Sequence, residues 1–109
     1  MNQTTKVEWI GLFNVRAQPA GEEPYAPGYS RAFVNVVANA VDAESFVQFV
    51  ISEMNDMDFD VLGFEDVETV VERELRKPID GLLQTVIQKV RDGQWMAWGD
   101  FNSYPDDEE

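Results

Sequence analysis

The sequence predicts one α+β domain with elements in the order β-β-α-β-α-β. Three observations carry that expectation. Two stretches of helical periodicity, around Phe46 to Met54 and Ile79 to Val90, separate stretches that alternate with a period of two. A chain of 109 residues, 44% of them hydrophobic, suits one compact core. No repeat or linker marks a second domain, so residues 1–105 are read as the domain and residues 106–109 as an acidic tail.

The first strand runs from Val7 to Ala17. Val7, Trp9, Gly11, Phe13 and Val15 share one face, and Ile10 and Leu12 make the other apolar too. A strand apolar on both faces belongs in the interior of a sheet. Gln18 to Gly28 holds Pro19, Gly21, Pro24, Pro27 and Gly28, the composition of a long loop. Arg31 to Val41 is the second strand. Its one face is Ala32, Val34, Val36, Ala38 and Ala40, small enough for a helix to lie close. Its other face carries Asn35 and Asn39 and is expected to be partly exposed.

Asp42 is placed to cap the first helix, whose buried stripe is Phe46, Val47, Val50, Ile51 and Met54. A third strand is expected from about Phe59 to Val71, with Gly63 as a bulge or a point of close approach. Arg73, Arg76 and Lys77 follow as a basic cluster. Pro78 fits the first turn of a second helix, whose stripe is Ile79, Leu82, Leu83, Val86, Ile87 and Val90. Arg91 and Gly93 form its stop. Gln94 to Tyr104 is a last, aromatic strand. The expected architecture has two layers, with both helices on one face of a four-stranded, mostly antiparallel sheet. It is ferredoxin-like in class, with one right-handed parallel crossover between Ala32 and Val71.

The formal net charge is -13, with no histidine and no cysteine. These absences remove histidine acid–base catalysis, thiolate nucleophiles and Cys/His zinc sites. No P-loop, G-x-S-x-G or G-x-G-x-x-G occurs, and the serines have no histidine to activate them. The chain is therefore read as no enzyme, with no cofactor and no metal site. Asp56, Asp58 and Asp60 imitate the first ligands of a calcium loop. Val61 stands where that loop needs glycine, and Val67 where it needs glutamate. Eight basic residues among 21 acidic ones argue against direct binding to nucleic acid or to anionic lipid. No secretory leader or membrane span is evident, and a chain without cysteine fits a reducing cytoplasm.

An acidic surface suits a basic protein partner. The expected function is a small cytoplasmic binding protein, most concretely an immunity protein or antitoxin against a bacterial toxin such as a nuclease. Complementary charge speeds capture by such an inhibitor. The candidate partner-binding residues are Asp56, Asp58, Asp60, Glu65, Asp66 and Glu68, with Trp98 as aromatic anchor. One alternative is a structural accessory domain, for instance from a phage, that forms a homodimer through an exposed sheet face or edge. Another is a DNA mimic with its carboxylates in two rows. Trp95 and Trp98 fall on opposite faces of a regular strand, so one of them, or Phe101 or Tyr104, should face out unless Tyr25 and Tyr29 cover that side.

Overall fold

Two long strands organise the sheet, β1 (Val7–Ala17) and β2 (Arg31–Ala40). They pair antiparallel with Trp9 opposite Ala38 and Phe13 opposite Val34. The structure, a computed structural model, describes residues 5–17 and 31–105. The Gln18 to Gly28 loop, Tyr25, Tyr29 and the acidic tail lie outside the described residues.

A helix, α1 (Ala43–Asp56), follows β2. Asp42 caps it, its carboxylate accepting a hydrogen bond from Ser45 N at 2.7 Å. The chain then enters β3 (Phe59–Thr69), which pairs antiparallel with the other side of β1. β1 is therefore interior, as its two apolar faces require. β2 and β3 run in the same direction with β1 between them. The crossover exists without a parallel ladder, because every described pairing is antiparallel.

β3 ends earlier than its β-branched run predicts. Val70 and Val71 open a short helix, α2 (Val70–Arg76). The cause is a capping box. Thr69 Oγ1 accepts from Glu72 N at 3.1 Å, and the Glu72 carboxylate accepts from Thr69 N at 2.9 Å. Pro78 does not start the next helix. Asp80 caps α3 (Gly81–Arg91) by accepting from Leu83 N at 2.8 Å. α3 ends in a Schellman motif: Gly93 N donates to Val90 O and Gln94 N to Lys89 O, both at 3.1 Å. Gly93 sits at φ 114°, a conformation that favours glycine.

The last strand is broken in two. β4 (Met96–Trp98) and β5 (Asn102–Tyr104) both pair with β2. Three residues, Gly99 to Phe101, stand opposite two, Val34 and Asn35, and Gly99 N donates to Asn35 O at 3.0 Å. The resulting five-stranded sheet has the order β3-β1-β2-β4, with β5 also on β2.

The helices lie on opposite faces of this sheet, which corrects the two-layer expectation. α1 covers the face of Phe13, Val15, Val34, Val36 and Ala38 with Phe46, Val47, Val50 and Met54. α2 and α3 cover part of the other face, where Ile10, Val37 and Ala97 meet Val70, Leu83, Val86, Ile87 and Val90. Ile10 and Val37 are apolar on the side opposite the small-residue stripe, and that is what receives α3. The close approach of α1 depends on Gly11. A Cβ there would stand 3.1 Å from the Phe13 ring and from Val67, and 3.3 Å from Phe46. Among the described residues no helix is long and apolar enough to cross a membrane.

Candidate partner-binding site

The acids singled out in the sequence gather along one sheet edge. Asp56 closes α1, and Asp58 follows it in the turn at φ 66°. Asp60, Glu65 and Glu68 lie on β3, opposite Arg16, Leu12 and Ile10 of β1. These three β1 residues are on the face that α3 partly covers, so the three acids project to that same side. Asp60 to Glu68 spans roughly 25 Å at about 3.3 Å per residue.

Two irregularities shape this edge. One register shift falls between Ile10 and Leu12, where Asp66 and Val67 stand opposite Gly11 alone and Asp66 takes φ 56°. The other falls between Asn14 and Val15, beside Gly63, where Leu62 is the extra residue. The bulge expected near Gly63 is thus present, but a Cβ on Gly63 would meet open space, so no close approach occurs there.

The acids are not equivalent electrostatically. Glu68 accepts hydrogen bonds from Arg76 of α2, with Nε 3.2 Å from each carboxylate oxygen. That hydrogen bonding raises the Arg76 pKa above its ordinary value. Asp60 forms a longer ion pair, 3.8 Å, with Arg16. Asp56, Asp58 and Glu65 are exposed and form no ion pair among the described residues. Asp66 is exposed and within electrostatic reach of Arg76. Asp56, Asp58 and Asp60 do not converge as metal ligands, and no such group occurs among the described residues.

The aromatic residues fall differently. Trp98 is half-buried against the α1 core, on the face away from the β3 acids. Phe101 stacks on Phe59 with ring centroids 5.2 Å apart. Trp95 precedes β4 and is 79% exposed. On the face of the acids, Phe33 of β2 stacks on Tyr104 of β5 at 5.2 Å. The Tyr104 hydroxyl donates to Asn14 Oδ1 at 2.7 Å. Phe33 remains 37% exposed and so offers an apolar surface there. The signal for this pair was available in the sequence: Phe33 shares its strand face with Asn35 and Asn39, both exposed.

The site therefore consists of an acidic edge, a polar stripe at Asn14 and Asn35, and an aromatic pair. It can meet cationic side chains and a flat apolar group together. No known protein family, curated protein or solved structure matches the chain, so a functional reading draws on surface chemistry alone.

Proposed function

We propose that this chain is a small acidic binding protein that neutralises a basic protein partner, most concretely an immunity protein for a bacterial toxin with a phosphate-binding cleft. The observation that carries the reading is one of placement. The Asp60, Glu65 and Glu68 carboxylates of β3, of which Glu65 is exposed, share one sheet face with the Phe33–Tyr104 pair, and among the described residues the helices cover only its Ile10–Val37–Ala97 end. A basic cleft that holds phosphates attracts such an edge, and long-range attraction raises its rate of capture.

The edge itself favours a different partner over a second copy. Bulges and like charges on an edge strand oppose pairing with another strand. β3 has both, with register shifts on either side of Phe13 and acids at positions 60, 65, 66 and 68.

The test uses the protein encoded by the adjacent reading frame. Co-expression with this chain should relieve its toxicity. The variant with Asp56, Asp58, Asp60 and Asp66 changed to Asn and Glu65 and Glu68 changed to Gln should associate more slowly, with a flatter dependence on salt. Unchanged association by that variant rejects the acidic edge as the binding surface. A folded dimer in sedimentation that buries Trp95 or Trp98 would favour the accessory-domain reading instead.

A further inference from the structure

A second site lies at the end of β2, between the start of α1 and the end of α3. It is a cleft of about 540 Å³, within the range of small-ligand pockets. Ala40, Val41, Phe49 and Val90 supply its apolar wall. Trp95 stands at its rim, and 79% exposure of so large a ring leaves most of its surface open to a contact. The Schellman turn at Gly93 sets the direction in which the chain leaves α3 and so positions Gln94 and Trp95.

The charge of this lining is opposite to that of the rest of the molecule. Among the described residues no acidic side chain lines the cleft, and its one charged side chain is Lys6. Lys6 forms no ion pair among the described residues. Asp42, next to Val41 in the chain, directs its carboxylate to Ser45 N as the cap of α1 and keeps its negative charge there, because that backbone hydrogen bond holds its carboxyl below the ordinary value. Asn39 and Gln94 add side-chain amides that can donate to an oxyanion.

We propose that this cleft binds a small molecule carrying a planar aromatic ring and one carboxylate. The ring stacks on Trp95 and packs against Phe49, and the carboxylate meets the Lys6 ammonium with the Asn39 and Gln94 amides. A net charge of -13 repels anions at long range, so anion preference at this cleft has to come from the local lining.

Three probes with a common indole ring separate the contributions: indole-3-acetate, neutral indole and cationic tryptamine. Amide and indole N–H resonances are followed by NMR during titration of the full chain, with affinities from calorimetry. Indole-3-acetate should shift Trp95 and Gln94 and bind about tenfold more tightly than indole, the effect of a charge-assisted hydrogen bond. Tryptamine should bind more weakly than indole. Lys6→Gln should bring indole-3-acetate to the affinity of indole, and Trp95→Ala should weaken both. Equal binding of tryptamine and indole-3-acetate overturns the proposal. So do shifts centred away from Trp95 and Gln94, or no shift up to the solubility of the acid. None of these readouts involves the acidic edge, so this site and the partner surface stand or fall separately.

Discussion

The two faces of the sheet are built for different work. Under α1, Phe13, Val34, Val36, Phe46, Val50 and Met54 are completely buried, and the Phe13 and Phe46 rings meet edge to face at 5.8 Å. On the other face the core is smaller and confined to the end where α3 lies. Beyond it come Asn14, Asn35 and the Phe33–Tyr104 pair, which a partner can reach. The difference teaches that stability is concentrated on one side of the sheet, which leaves the other side free to carry acids and half-exposed aromatics.

Paired truncations test that asymmetry most severely. Phe46→Ala should cost about 3 to 5 kcal/mol and Leu83→Ala about 2 to 3 kcal/mol, both read from urea unfolding. Equal or reversed losses would break the comparison. A finer test enlarges the close contact on the α1 face. Gly11→Ala should cost about 1 to 3 kcal/mol, because Phe13, Phe46 and Val67 must all shift. No loss of stability would mean that α1 does not depend on this close approach.

The caps give smaller effects. Thr69→Ala removes the capping residue of α2 and should cost about 1 kcal/mol by the same unfolding measurement. The loss should appear with little change at α1, since α2 packs on the opposite face.

The smallest expected effect is one of pH. The backbone and hydroxyl hydrogen bonds of Thr69 hold the Glu72 carboxyl below its ordinary value of 4.5. A carboxyl depressed in the folded state stabilises above its unfolded pKa, and that contribution is lost as pH falls through the folded value. Protonation also relieves the mutual repulsion of 21 acidic side chains, which acts in the opposite direction. The comparison of wild type with Glu72→Gln, which keeps the shape of the side chain and removes its charge, isolates the carboxylate. The stability gap between them should be constant above pH 4.5 and narrow below it. A gap independent of pH would show that Glu72 takes no part.

Much of this architecture is legible in the sequence because periodicity and capping agree. Asp42 and the Phe46–Met54 stripe define α1, and the Leu83–Val90 stripe with Gly93 defines the body and end of α3. The side of the sheet that each helix takes is not legible in the same way. A strand apolar on both faces, as β1 is, accepts a helix on either, and only the register of Ile10 with Val37 and Ala97 decides it. α2 is hidden because Thr69, Val70 and Val71 carry strand propensity, and a capping box overrode it. The acids were recognisable as a group. Their division into Asp60 and Glu68, held by arginines, and Asp56, Asp58 and Glu65, which form no ion pair among the described residues, depends on contacts across strands and helices that spacing does not reveal. Strand alternation assigns Trp98 a side without saying what lies there. That side is the α1 core.

The pairing of β2 with β4 and β5 also has a consequence for the order in which the chain is made. Translation delivers about 5 to 20 residues each second, N-terminus first. β2 has β1 on one side from the outset, while its other side waits for Met96 to Tyr104. Val37 waits as well for Leu83 to Val90 to cover it. A nascent chain that has completed β1, β2 and α1 therefore still shows an open backbone edge and an uncovered apolar face, and these wait for Met96 to Tyr104 and for α3 respectively.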